Sequence, residues 1–352
     1  MPPFIYPLFT ALLLLLATPV AHGADCETPV PESEWSVIKP LATETLMLDI
    51  VRVGETLVVV GERGQVLISE DQGRSWTQQR TPTRALLTGT WFHDRNLGWA
   101  VGHDAVILRT EDGGETWCRV HVAPELDLPL FDVWFADAQN GFAIGAYGYF
   151  LRSSDGGRTW QEEALEEIEP ESSAEDEDAD GGDEGWGGDD WLDNITDMHL
   201  NRVVLDAAGR LYLVAEAGIV FRSDDQGRTW LRLGTPYDGS FFNGLPPDDD
   251  SLLIFGLRGN MFRSWDAGAS WRKIRLPVDS SLFGGARLRD GHIIVVGSAG
   301  VMLLSDEGDS YRLVQRPDRK ALTSAMGTSD GAVIVIGEPG VERIEPGELL
   351  AN

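Results

Sequence analysis
Apolar positions along this chain come in short bursts, each closed by a small residue. Leu57–Gly61, Gly98–Gly102, Gly141–Gly145, Leu211–Ala215, Leu252–Gly256 and Ile293–Gly297 all have this form. Runs so rich in β-branched and aromatic side chains predict strands. A tight connection follows, with Gly at 64, 148, 218, 259 and 300 and Ala105 in the second copy. A further strand then leads into a polar box, as in Val66–Ile68 or Ile219–Arg222.

The box reads Ser/Thr-x-Asp-x-Gly-x-Ser/Thr-Trp and occurs five times. The copies are Ser69–Trp76 (with Asp71 and Gly73), Thr110–Trp117 (Asp112, Gly114), Ser153–Trp160 (Asp155, Gly157), Ser223–Trp230 (Asp225, Gly227) and Ser264–Trp271 (Asp266, Gly268). A worn sixth copy, one residue short, runs from Ser305 to Tyr311. Its Asp is suited to an Asx-type turn, its Gly to a positive φ, and its Trp to packing beside or between sheets. Successive Trp residues lie 41, 43, 70, 41 and 40 positions apart, the last counted to Tyr311. A period near 40 residues with four short strands per repeat predicts an all-β chain folded as a β-propeller.

A seventh repeat is split between the chain ends. Ala332–Gly337 and Gly340–Ile344 supply strands with no box after them, and Trp35-Ser36-Val37-Ile38-Lys39 begins 41 residues before Trp76. The expectation is a seven-bladed ring closed by this N-terminal strand in the last blade, which leaves no open edge. Residues 24–352 then form a single domain. Ahead of it, residues 1–23 read as a signal peptide: Leu8–Ala17 is apolar, and Ala21-His22-Gly23 suits cleavage after Gly23. A retained anchor is the alternative, since no Lys or Arg precedes the apolar run. Export permits one disulfide between Cys26 and Cys118, against two unrelated thiols.

Charge changes the picture in one place. Residues 162–193 hold 16 Asp or Glu and no Lys or Arg, out of a formal net charge of −29. This insertion reads as a disordered acidic loop within the propeller, with Trp186 and Trp191 available to dock on the body or a partner. Weak Ca²⁺ binding is the other reading, but EF-hand spacing is missing. So acidic an exported chain is a poor match for nucleic acid. Arg109, Arg152, Arg222 and Arg263 recur just before the box Ser or Thr. They are expected to pair with a neighbouring blade's carboxylates or lie along the rim, or else to form a band for an acidic partner.

The boxes are Asp-boxes, also called BNR repeats. The fuller repeats, Leu86–Trp117 with Phe92 and Asp94 and Pro129–Trp160, resemble the YCF48 type, the photosystem II stability/assembly factor-like proteins. The resemblance covers residues 35 to about 345 and implies a seven-bladed propeller. It also implies a non-catalytic role, holding membrane-protein subunits on the lumenal or extracytoplasmic side. Relatives in bacteria that do not photosynthesise resemble periplasmic accessory proteins, some associated with RND-family exporters. Arginine-rich binding faces are expected of photosynthetic members, and this chain is acidic.

The functional expectation is therefore an exported, monomeric, non-catalytic scaffold or accessory protein that binds a membrane-protein complex in the periplasm or another extracytoplasmic compartment. Candidate contact residues are Trp91, His93, Asp94, Phe131, Asp132, Trp134, Phe241, Phe242, Asn243 and Phe283, with Trp186 and Trp191 on the loop. The alternatives are a glycoside hydrolase or sialidase-like enzyme and a carbohydrate-binding propeller. For hydrolysis, Asp49, Asp94, Asp132 and Asp197 are the carboxylates near inner strands, but the Arg-Ile-Pro motif of sialidases is missing. No zinc spacing, phosphate loop or nucleophile elbow points to a metal or cofactor.

Overall fold
A computed structural model of the chain describes residue 26 and residues 29–169 and 198–348. The proposed signal peptide, Trp186, Trp191 and Asp197 lie outside these residues. Seven sheets, antiparallel but for one edge strand, stand round a central axis. Their innermost strands are Met47–Val53, Leu87–Phe92, Leu130–Phe135, Leu200–Leu205, Phe241–Leu245, Leu282–Arg287 and Leu322–Gly327. Each touches the next, and the seventh returns to the first, so the ring is closed. These sheets are called blades 1 to 7 in chain order.

The second strand of every blade is the apolar burst of the sequence, buried along its length and on both faces. That explains why these runs do not alternate with polar residues: a middle strand faces a neighbouring blade on each side. Aromatics fill the wedges between blades. Trp99 and Phe135 stack at 3.5 Å across blades 2 and 3, and Trp230 meets the edge of Phe142 at 5.7 Å across blades 3 and 4.

Two expectations are corrected and a third is refined. Blade 7 has three strands, with Gly340–Ile344 outermost, and Trp35–Lys39 is not among them. The backbone N–H of Ser36 donates to Thr81 O and that of Lys39 to Gln78 Oε1, so this segment spends its polar groups on blade 1. It is a strap, held by the Cys26–Cys118 disulfide to the outer strand of blade 2 and by Glu34–Arg119 and Glu32–Arg80 ion pairs. Closure comes from other contacts. Thr323 Oγ1 donates to Met47 O at 2.8 Å, and Arg343 Nη1 to Gln72 O at 2.6 Å.

The second correction concerns the acidic insertion. Residues 162–169 are part of the propeller: Gln161–Glu162 is the fourth strand of blade 3, and Glu167–Ile168 adds a parallel fifth strand to blade 4. Glu167 pairs with Arg232 at 2.8 Å, and Leu165 is buried in the core between blades 3 and 4. The remainder, 170–197, lies outside the described residues.

The third concerns the recurring arginines. Each reaches the box loop of the next blade and donates to a main-chain carbonyl there. The pairs are Arg109 to Gly156 (2.7 Å), Arg152 to Gly227 (2.8 Å), Arg222 to Ala267 (3.1 Å) and Arg263 to Glu307 (2.6 Å). Arg343 does the same from blade 7 to blade 1. They are staples between blades, as the first of the two readings expected, with the refinement that the next blade supplies a main-chain carbonyl in each case and, for Arg263, also the Asp309 carboxylate at 2.9 Å.

Candidate functional site
The Asp-boxes lie between the third and fourth strands and form one hydrogen-bond pattern. In blade 1, Ser69 Oγ accepts from Gly73 N at 2.8 Å and donates to Asp71 Oδ1 at 2.9 Å. The Asp71 carboxylate then accepts from Ser75 N at 2.8 Å and Ser75 Oγ at 2.6 Å. The same bonds recur at Asp112, Asp155, Asp225 and Asp266. Hydrogen bonds from Ser75 and Ser270 hold the Asp71 and Asp266 carboxyls down at about 2, because each bond favours the ionised form. Ser305 keeps only the bond from Gly308 N at 2.7 Å, as its shortened loop requires. The boxes are turn chemistry at the rim, saturated by their own loops.

The innermost strands are latched in sequence by side chains that bond the next strand's backbone. Asp49 Oδ2 accepts from Thr90 N at 3.0 Å, and Asp132 Oδ2 from Val203 N at 2.9 Å. Thr88 donates to Leu130 O at 2.6 Å, Asn201 to Phe241 O at 2.7 Å, and Asn243 to Phe283 O at 3.1 Å. Blade 6 uses close backbone approach instead: a Cβ on Gly284 would lie 2.3 Å from Thr323 O.

Arg202, on the innermost strand of blade 4, adds a strut across the channel. Its guanidinium lies 3.1 Å from Asp49 of blade 1 and 3.4 Å from Asp132 of blade 3. Blades 1 and 4 are not neighbours, so this side chain bridges the axis. Both carboxylates are buried, while the Arg202 side chain keeps 26% of its surface exposed. Burial pushes Asp132 up to about 6 against the pull of Arg202, and the nearby Asp49 charge adds to the rise.

At the strut is a cavity of about 360 Å³ lined by the second or third residues of all seven innermost strands, with Leu86 and His103 beside them, which makes it the channel mouth. Phe131, Phe242 and Phe283 with Leu48 and Leu86 form its walls, and Asp49 and Arg202 lie at its base. Beside Phe131 stands His199, edge-on to the Phe131 ring at 5.6 Å and to Tyr147 at 4.9 Å. Glu216 approaches His199 Nδ1 at 3.4 Å. Tyr147 is 57% exposed and sits at φ 52°. The left-handed backbone is common to this turn in six blades, at Arg63, Asp104, Ala217, Arg258 and Ala299 as well, so what is particular to blade 3 is the large exposed ring that the turn carries.

The candidate residues divide sharply. Phe131, Asp132, Phe242, Asn243 and Phe283 come together at or just under the mouth. Trp134 and Phe241 are buried core, at 7% and 0% exposure, and Trp91 packs half-buried with its ring 6.3 Å from Trp134. His93 and Asp94 lie in the turn at the far end of the blade 2 inner strand, where Asp94 accepts from the N–H groups of Asn96 and Leu97. Sequence reasoning missed Arg202, His199 and Tyr147. Tyr147 occupies the left-handed turn position that recurs at Arg63, Asp104, Ala217, Arg258 and Ala299, so its place was legible but its residue type is particular to blade 3; Arg202 and His199 leave no repeated residue type to find.

A closed ring of seven blades, rim boxes and an occluded channel define an Asp-box β-propeller. A family model described as photosynthesis system II assembly factor YCF48 matches residues 28–129. The photosystem II stability/assembly factor HCF136 of Oryza sativa subsp. japonica is 27% identical over 124 residues, which is 32% of this chain and 29% of that protein. Two other curated relatives are matched over only 12% and 11% of their length. A solved structure of YCF48 bound to D1 peptide superposes over 90% of this chain and 98% of that one, with TM-score 0.62 and 16% identity. A streptogramin B lyase superposes over 86% and 94%, with TM-score 0.66 and 10% identity. Likeness at these identities is a statement about fold alone. The sequence matches add a partial likeness: residues 28–129 are similar to the YCF48 assembly factors, and the whole is a BNR-repeat propeller like theirs in fold.

Proposed function
We propose that this protein is an exported, non-catalytic scaffold that holds a membrane-protein complex on its extracytoplasmic side and works as a monomer. The observation that carries the reading is the channel mouth: an aromatic-walled recess with its base closed by Arg202, on a rigid ring. Recesses walled by aromatics are where anchor side chains of a protein partner insert. The partial sequence likeness to photosystem II assembly factors, of which a YCF48 has been solved bound to D1 peptide, favours a protein ligand. An RND-type exporter is one candidate complex. The Cys26–Cys118 bond is in keeping with an oxidising compartment.

The enzyme reading loses its best acid–base pair. Asp49 and Asp132 share one guanidinium and spend their oxygens on backbone N–H groups, so neither is free to serve as general acid or base. The test is capture from crosslinked membranes with the full chain and with Tyr147→Ser. Recovery of an integral membrane protein by the wild type, weakened by the substitution, is the expected result. Recovery of the same proteins by an unrelated propeller overturns the reading.

A further inference from the structure
Blade 7 offers a second surface, away from the mouth, and its reading rests on the scaffold only in taking the partner to be a protein. The other six blades have a fourth strand, whereas blade 7 ends at Gly340–Ile344. That strand pairs with Val333–Gly337 alone, so among the described residues its outer edge carries no main-chain hydrogen bond. Open edges are ordinarily blocked by charge or proline. Here the charges are drawn into the faces of the sheet, Glu342 to Arg316 and Arg343 to Asp330 and Gln72 O. Pro339 and Pro346 lie outside the strand.

Beside the edge is a groove of about 620 Å³ between blades 7 and 1, bounded by the strap. Val341, Leu67, Ile38 and a half-buried Trp76 give it apolar surface. Lys39 and Arg74 are its charged groups, and no carboxylate is in the lining. Arg74 is bonded to Asp330. The exposed Lys39 bonds to Gln78 through its main-chain N–H, and its ammonium has no ion-pair partner among the described residues. The molecule itself shows what an outer edge of this ring accepts. Glu167–Ile168, an acidic residue beside an apolar one, adds to the outer strand of blade 4, with Glu167 on Arg232. The fourth strand of that blade also sends Leu231 and Leu233 into the core shared with Trp271, the box tryptophan of blade 5. Trp76 is the box tryptophan that faces blade 7, where no described strand does the same.

We propose that blade 7 is completed in trans: an extended segment of the partner adds to Gly340–Ile344 as a fourth strand. An apolar residue of the segment lies against Val341 and Trp76, and an acidic residue two positions away, on the same face, meets Lys39. Main-chain bonds supply the affinity of such additions, and the groove beside the edge supplies the choice of side chain. The formal charge of −29 opposes an acidic segment at a distance, but it is screened beyond about 8 Å at physiological salt, so the lining decides.

The test titrates labelled peptides into the full chain at physiological salt, read by fluorescence anisotropy. They are acetyl-Thr-Val-Thr-Ile-Thr-Glu-Thr-amide, its Lys-for-Glu counterpart, and a copy methylated on its main-chain nitrogens, which cannot pair as a strand. The methylated copy is expected to bind at least tenfold more weakly than the parent, and the Lys counterpart severalfold more weakly. Hydrogen exchange at 340–344 is expected to slow when the parent binds. Lys39→Glu, on the exposed strap, is expected to cancel the preference for Glu. Binding that survives methylation, protection elsewhere than 340–344, or no binding overturns the proposal. So do two other occupants. A chain ending at Glu348 that binds at least tenfold more tightly than the full chain gives the edge to its own residues 349–352. Self-association with 340–344 protected before any peptide is added gives it to a second copy. The membrane capture separates this failure from that of the scaffold reading. Capture without peptide binding leaves the scaffold and removes the strand site, whereas peptide binding without capture does the reverse.

Discussion

The rim and the hub of this propeller handle the same side chain in opposite ways. At the rim, Asp71 and Asp266 are wrapped by hydrogen bonds from their own loops and sit at about 2. At the hub, Asp132 is buried against another carboxylate and is pushed up to about 6. The rim carboxylates solve a local problem, the reversal of the chain between two strands, five times over. The hub carboxylates solve a global one, with Asp132 and Asp49, 70 and 153 residues before Arg202, tied round its one guanidinium. Local solutions are cheap to repeat. Global ones need desolvated charge, whose balance fails if one partner is removed.

Arg202→Met probes this difference hardest. It leaves Asp49 and Asp132 facing each other under the mouth without their shared cation. Breaking a buried pair by removing one partner costs about 3–5 kcal/mol. Urea denaturation is expected to show a loss of that order. Adding Asp132→Asn to Arg202→Met is expected to restore a good part of it. A loss under about 1 kcal/mol in the single variant would show that the strut is a surface pair.

The pH dependence separates the two regions next. For Asp132 the folded value lies above the unfolded one near 3.8, so the folded state holds the proton longer. Its stabilising contribution is complete below about pH 4 and is lost as pH rises through about 6. The rim carboxylates have the opposite sign: their contribution is present above pH 4 and is lost as pH falls toward 2. Stability should therefore fall between pH 4 and 6, by up to about 3 kcal/mol from Asp132. Asp132→Asn is expected to flatten that slope whatever its cost at any one pH. An unchanged slope would assign the decline to other groups.

A single box is worth less. Burial pushes the Asp225 carboxyl up, but bonds from Thr229 and Ser223 outweigh it and its value is lowered. Asp225→Ala removes these bonds from an accessible turn, comparable to losing a helix cap at about 1–2 kcal/mol. Six other blades still hold the ring, so thermal unfolding is expected to shift modestly and remain one transition. Two transitions would show that blades 4 and 5 melt apart from the rest.

The rim was legible in the sequence because it repeats. Ser69, Asp71, Gly73 and their counterparts announce a turn by recurrence, and the spacing of their Trp residues gave the blade count. The hub was not legible, because the latch changes residue type and position from strand to strand: Asp at 49 and 132, Thr at 88 and 323, Asn at 201 and 243, and the bare backbone at Gly284. Arg343 shows the limit from the other side. It occupies the staple position in blade 7, but no box follows it, so a search anchored on boxes passes over it. The Trp35 segment misled for the converse reason. Its spacing of 41 from Trp76 fits a blade, but spacing carries no account of where its N–H groups go.

Ala105 offers the smallest effect and the finest distinction, between a position fixed by the turn and one fixed by its surroundings. It sits at φ 50°, where five other blades place Gly. At Gly64 an added Cβ would lie 2.2 Å from Thr83 O, and at Gly218 it would lie 1.7 Å from Tyr237 O. In blade 2 the following linker takes another course, with Ala123 N donating to Asp104 O at 2.8 Å and a short turn at Pro124–Leu126. The Ala105 methyl enters the core between blades 2 and 3 with no exposure. Ala105→Gly relieves about 1–2 kcal/mol of left-handed strain. It also gives up about 0.8 kcal/mol of buried methyl and adds roughly 0.4–1 kcal/mol of unfolded-state entropy. The terms nearly cancel, and a change within about 0.5 kcal/mol is expected, near the level at which such sums stop resolving. A gain above 1 kcal/mol would mean that the methyl strains its turn without a packing return. A matching loss would mean that packing alone chose alanine there.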